Sequence, residues 1–226
     1  MMCGRFALAA PASRIQEVFG LPAVPALLPR FNVAPGTQVA GILKDTYGPT
    51  LEWFRWGLIP SWAKDAKIGY RALNARSETA RSKPMFRSAF KQRRLLIPMD
   101  GFYEWTRVGT TKKQPWHIGL PNGEPFAVAG LWETWTAPDG EVVKSITLMT
   151  TAPNAILAPI HSRMPVILPE STWEAWLAKD TDLDAIEHLL VPYEGELHPY
   201  QVSTTVNKVA NTGPECKEPL NDEANT

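Results

Sequence analysis

Leu95-Leu-Ile-Pro-Met-Asp-Gly-Phe-Tyr-Glu-Trp105 is the run that decides the fold class. Apolar and aromatic residues stand on both sides of Asp100-Gly101, and they read as strands over residues 95–99 and 102–105. Asp-Gly is the strongest two-residue hairpin signal in the chain, because both residues tolerate positive φ. The run therefore predicts two paired antiparallel strands joined by a tight turn.

Working outward, residues 31–33 and 39–43 flank an Ala-Pro-Gly turn and read as strands. Residues 51–56 look extended. Residues 116–120 and 126–132 suggest a second hairpin around Asn122-Gly123, and 146–150 a further strand. Helical signals are fewer. Ser13 can cap a short helix with Ile15, Val18 and Phe19 on its apolar face. Residues 78–90 predict a helix broken at Pro84. Ser171-Thr-Trp-Glu174 is a capping box opening another, and residues 182–190 a last one. The strands are short and numerous, and helices do not alternate with them. That pattern predicts an α+β protein: one domain built on a curved, mainly antiparallel sheet or partial β-barrel with peripheral helices. The domain is expected over residues 1–213, with 214–226 a polar, frayed tail.

With 226 residues, 44% hydrophobic and 20% charged, the chain has ample material for a core and is not disordered. Cys3 and Cys216 lie at opposite ends, which is not a secreted disulfide framework. The longest apolar run, residues 126–132, is far too short to span a bilayer. A soluble, cytoplasmic protein is expected. Its net charge of +0 excludes a uniformly basic nucleic-acid binder. The neutral total hides an uneven distribution, however. Residues 71–94 hold eight basic side chains against Glu78 alone, whereas residues 170–226 hold twelve acids and three bases. The basic stretch reads either as a solvated helix face or as a phosphate-binding surface.

The four histidines have no His or Cys partner at metal-ligand spacing, so no metal is expected. Gly-rich phosphate loops and a GxSxG elbow are absent. What remains is a series of dense segments: Cys3-Gly-Arg-Phe6, Phe31-Asn-Val-Ala-Pro-Gly36, Trp56-Gly-Leu-Ile-Pro60, Leu73-Asn-Ala-Arg-Ser-Glu-Thr79, Gly101-Phe-Tyr-Glu-Trp105 and His161-Ser-Arg-Met-Pro165. Taken alone, each has an ordinary structural explanation. Cys3 is a small hydrophobe near a terminus, Asn74 a helix cap, Glu104 a strand carboxylate facing solvent, His161 a structural imidazole. Burial between Tyr103 and Trp105 would instead favour a neutral Glu104 able to move protons near neutral pH. Strand alternation leaves that choice open.

In this order, the segments resemble the SOS response-associated peptidase family, whose members are also called abasic-site processing proteins. The resemblance runs from Cys3 to about Val209. It implies that Cys3 becomes the first residue and supplies a 1,2-aminothiol. Its amine would form a Schiff base with the aldehyde of an abasic deoxyribose, and its thiol would then close a thiazolidine. An α-amine with a pKa of about 7.7–8.0 has a usable neutral fraction, unlike a lysine near 10.4. Met1 and Met2 precede Cys3, so that chemistry requires a start at Met2 or removal of Met2 by another route. The resemblance further implies that Glu104 shuttles protons, that His161 helps open the sugar ring, and that Asn74 orients the lesion and the amine. Arg5, Arg76 and Arg163 are then phosphate clamps, while Pro35, Gly36 and Trp56 form a turn and a stacking platform. The implied partner is single-stranded DNA with abasic sites, bound by a monomer without a cofactor and associated with the nucleoid. Covalent capture shields the lesion, with a lyase reaction as a side path. Two other readings remain: a thiol peptidase using Cys3 and His161, or a non-catalytic single-strand binding module.

Overall fold

At Asp100-Gly101 the chain changes sheets. The two flanking strands, Arg94–Met99 and Gly101–Val108, do not pair with each other as the hairpin signal predicted. The cause lies far away in sequence. The buried Asp100 carboxylate accepts from the Ala9 and Ala10 N–H groups at 2.5 and 2.8 Å and meets Lys217 at 3.2 Å. Gly101 packs so closely on the His117 ring that a Cβ there would overlap it. The dipeptide is thus a crossing point between two layers.

A computed structural model describes residues 3–220. In chain order the strands are β1 (Phe6–Leu8), β2 (Arg30–Val33), β3 (Gln38–Asp45), β4 (Gly48–Trp56), β5 (Asn74–Arg76), β6 (Arg94–Met99), β7 (Gly101–Val108), β8 (Lys112–Gly119), β9 (Phe126–Thr136), β10 (Val142–Thr151), β11 (Met164–Pro165), β12 (Ile167–Leu168) and β13 (His198–Gln201). The helices are short: α1 (Ala12–Val18), α2 (Ser77–Ala80), α3 (Arg87–Gln92), α4 (Trp173–Leu177) and α5 (Leu183–His188). One sheet runs β13-β8-β7-β1-β2. The other closes on itself, since β10, β4, β3, β6 and β9 pair in a ring, with β5, β11 and β12 attached. Closure removes the edges that an open sheet exposes. The expected α+β domain is therefore a small barrel plus a mainly antiparallel sheet. The pairings of β10 with β4 and β5 are parallel.

The expected hairpin at Asn122-Gly123 is also replaced by a crossing. β8 belongs to the open sheet and β9 to the barrel. One continuous apolar cluster fills the barrel and the space under the open sheet, with Phe54, Trp56, Phe90 and Trp176 among its largest members. The helix predicted over 78–90 is two pieces, α2 and α3, separated by turns around Pro84. Asp182 caps α5, accepting from the Asp184 and Ala185 N–H groups. Ser13 falls inside α1 and does not cap it, and the Ser171 side chain likewise makes no cap bond.

The fraying expected from Pro214 does not begin there. Cys216 is buried, the Leu220 N–H donates to the Gln201 carbonyl at 2.9 Å, and Pro219 bridges to Val202. Residues 221–226 of the expected tail lie outside the described residues. Among the described residues, no helix is long and apolar enough to cross a membrane, and no group of three His, Cys, Asp or Glu side chains could hold a metal ion.

Candidate active site

The end of β10 organises the site. Its Leu148 and Thr150 run in parallel register with Asn74 and Arg76 of β5. On its other edge, Thr150 and Thr151 pair with Pro165 and Met164 of β11, which follows directly on Arg163. Asn74 and Arg76 are thus brought to one strand end with Arg163, which is distant from them in sequence. Glu104 arrives on β7. The segment before β1 lies alongside, with the Arg5 carbonyl accepting the Tyr103 N–H at 3.0 Å. His161 ends a tight helical turn in which its N–H donates to the Leu157 carbonyl at 2.9 Å.

These elements converge on Cys3. Its backbone nitrogen donates to Glu104 Oε1 at 2.8 Å, and Asn74 Nδ2 donates to its carbonyl at 3.4 Å. The second carboxylate oxygen of Glu104 stands 3.8 Å from His161 Nε2. Arg163 N–H donates to His161 Nδ1 at 3.2 Å in the tautomer whose proton is on Nε2, facing Glu104. When the ring is protonated, Nδ1–H has the Arg163 carbonyl at 3.1 Å as its acceptor. Either state is satisfied, as a proton relay requires.

Burial tunes the charges. Glu104 is 2% exposed, and loss of solvent pushes its carboxyl up to about 8, against the opposing pull of the Cys3 N–H bond. Burial, with the Glu104 charge beside it, drives the Cys3 thiol well above its ordinary range. A thiol so placed is not an activated thiolate. It is the nitrogen of Cys3 that faces the polar centre.

The arginines are held differently. Arg5 donates to Asn32 Oδ1 at 2.7 Å and to the Val206 carbonyl at 2.9 Å. Arg163 makes a two-pronged ion pair with Glu78 and donates to the Thr150 carbonyl at 2.7 Å. Arg76 is exposed and lines a groove of about 440 Å³ with Arg71, Asn74 and Lys83. The basic stretch does not form one surface. Arg81 pairs with Asp184 and Glu187, Arg93 pairs with Glu133, and the buried Arg94 spends its guanidinium on backbone carbonyls, among them Trp176 and Phe90. Only part of it faces the groove.

Trp56 requires a correction. It is 1% exposed, packs against Phe6, and donates its indole N–H to the Leu73 carbonyl at 3.0 Å. It supports the backbone leading into Asn74 and has no face to offer a base. An exposed aromatic that does line the Arg76 groove is Trp62, 60% exposed. Its position between Pro60 and the charged Lys64-Asp65 was the signal that it lies at the surface. Pro35 and Gly36 form a half-buried turn beside Tyr70, outside the linings of both clefts. Gly36 has φ +82° there, a conformation that favours glycine. Arg107, Lys113 and Asn207, not singled out by motif, join Glu104 and His161 in lining a cleft of about 500 Å³.

Known proteins resemble this chain in sequence and in fold. The "Abasic site processing protein YoqW" of Bacillus subtilis (strain 168) is 43% identical over 222 residues, covering 96% of this chain and 99% of its own. The "Abasic site processing protein HMCES" of Xenopus tropicalis is 33% identical, covering 83% of this chain and 65% of its own. A crystal structure of a protein from Bacteroides thetaiotaomicron superposes with a TM-score of 0.88 at 25% identity, over 96% of this chain and all of the other. The profile of one family, described as "SOS response associated peptidase (SRAP)", matches residues 2–209. This chain belongs to that family.

Proposed function

We propose that the protein captures abasic sites in single-stranded DNA as a covalent adduct through the amine and thiol of Cys3. The observation that carries this reading is the 2.8 Å approach of the Cys3 nitrogen to Glu104 Oε1 in a cleft bordered by Arg5 and His161. In a chain beginning at Cys3, that nitrogen is a primary amine. His161 passes a proton to the ring oxygen and takes up the proton that the anomeric hydroxyl releases, so the deoxyribose opens to its aldehyde with no net proton change. The amine lone pair attacks the aldehyde carbon. Glu104, a neutral acid below its raised pKa, protonates the departing hydroxyl and as a carboxylate takes a proton back from the Cys3 nitrogen, so one water leaves, an imine forms and the acid is restored. The Cys3 sulfur then adds to the imine carbon, and the thiol proton moves to nitrogen, closing the five-membered thiazolidine. That second step is an isomerisation and releases nothing.

Arg76 and Arg163 bind the flanking phosphates, and Asn74 holds the Cys3 carbonyl so that the amine stays aimed. The protein acts as a monomer on nucleoid DNA, and β-elimination from the imine gives strand cleavage as a side path. The elevated thiol pKa argues against a thiol peptidase, which needs a thiolate. A purely non-catalytic binder has no need of the Cys3–Glu104–His161 arrangement.

Intact-protein mass spectrometry after incubation with an abasic oligonucleotide tests the reading. The expected product has the mass of protein plus oligonucleotide minus one water and survives without reductant. Cys3→Ser should give only an imine, seen after borohydride reduction. Salt-sensitive binding with no adduct on the wild type would overturn the reading in favour of a binding module.

A further inference from the structure

We infer that the β7–β8 hairpin carries a second phosphate-binding arm, centred on Arg107 and Lys113, that receives the nucleic-acid backbone on the side of the lesion away from the Arg76 groove. The inference rests on the DNA reading above and extends it to residues that no motif marks.

Arg107 and Lys113 face each other directly across the hairpin. Like charges on opposed residues of an antiparallel pair repel and cost stability. Neither makes an ion pair with an acid among the described residues, whereas Arg81, Arg93 and Arg163 all do. An anion shared between the two cations relieves that repulsion. Both residues line the same cleft as Glu104 and His161, so an anion seated there is continuous with the reacting centre.

Strand alternation sets their direction. On β7, Tyr103, Trp105 and Arg107 share one face, and Arg5 stands opposite Tyr103 on the neighbouring segment. From the rung of Arg5 to that of Arg107 is four residues, about 13 Å of extended strand. The row is rigid at its inner end. Arg5 is pinned by Asn32 and the Val206 carbonyl, and the Trp105 indole N–H donates to Asn207 Oδ1 at 2.7 Å. A cation, an aromatic plane and a cation pair spaced along one face suit a phosphodiester chain with bases stacked between its charges. Lys112 points to the other face of the hairpin, since it pairs with Val108 one rung on.

The test uses the full chain and oligonucleotides carrying a reduced abasic analogue, which cannot form an imine. Flanks are lengthened on one side of the lesion at a time, and affinity is measured against salt. Wild type should gain affinity as the flank on one side grows. R107Q/K113Q should lose that gain, about tenfold at low salt, and its salt slope should fall by about 0.7, the value for the one single-strand phosphate that the two cations share. Both side chains are exposed, so the fold is untouched. K112Q should match wild type throughout. An unchanged slope and full flank gain in R107Q/K113Q would overturn the inference, as would an equal loss in K112Q. A wild type that forms no adduct, yet shows the flank gain and its loss in R107Q/K113Q, would sink the covalent reading and leave the arm standing.

Discussion

Glu104 and His117 occupy neighbouring rungs of the β7–β8 ladder, on opposite faces, and each is 2% exposed. Desolvation drives both toward the neutral form, and from there they part. An acid that loses water moves up toward physiological pH, and Glu104 reaches about 8. A base moves down and away from it, and His117 falls to about 3. Glu104 opens onto a cleft, with the Cys3 nitrogen on one oxygen and His161 near the other. His117 lies between Tyr103 and Tyr200 under Gly101, and neither ring nitrogen has a hydrogen-bond partner. The lesson is that a buried titratable group becomes chemical only when its shift lands near working pH and a reacting partner sits within reach. His117 is a packing ring that happens to be titratable.

Substitutions separate the two roles. The largest effect is expected for Glu104→Gln, which keeps the shape and removes the proton. Adduct formation should slow by about 10²–10⁴-fold, read by quenched time courses on gels, with DNA affinity unchanged within a few-fold. An equal rate would place Glu104 with His117 among the structural residues. Next comes Trp56→Ala, expected to cost about 3–5 kcal/mol in denaturant unfolding, whereas Trp62→Ala should leave stability intact and weaken single-strand binding by about 1–3 kcal/mol. Arg76→Ala should lower the salt slope of binding by about 0.7, measured by titration at several salt concentrations.

The effects on stability against pH have opposite signs. The folded pKa of Glu104 is raised, so its stabilising contribution is full below its unfolded value near 4.3 and is lost as pH rises through about 8. The folded pKa of His117 is lowered, so its contribution is present above 6.5 and is lost as pH falls toward about 3. Glu104→Gln should therefore flatten the alkaline limb of a stability–pH curve. His117→Phe should flatten the acid limb, with little cost at neutral pH because no hydrogen bond is removed.

Most of the site was legible in the sequence because its chemistry sits in short segments whose residue types are unusual together. Cys3, Asn74, Glu104, His161 and Arg163 do converge in space. The fold class was legible from strand number and spacing. Pairing was not. Asp100-Gly101 satisfies every local rule for a hairpin, yet the partners of Asp100 are 90, 91 and 117 residues away, and they turn the dipeptide into a crossing between sheets. The basic stretch misled in the same manner, since local charge cannot reveal that Arg81 answers Asp184 or that Arg94 is buried under α4. Trp56 is buried by partners distant in sequence, Phe6 and the Leu73 carbonyl, which a window of a few residues does not contain, whereas Trp62 has its signal close by in Lys64 and Asp65.

The central claim is that the nitrogen of Cys3, set against Glu104, is the nucleophile. Two preparations of the same protein test it most directly, one beginning at Cys3 and one with Met2 retained, each identified by intact mass and incubated with an abasic oligonucleotide. The Cys3-first protein should form a stable adduct lighter than the sum of its parts by one water. The Met2-retaining protein keeps the same thiol, Glu104 and His161, but its Cys3 nitrogen is an amide, and it should form none. A stable adduct on the Met2-retaining protein, at the rate of the Cys3-first protein, would contradict the claim.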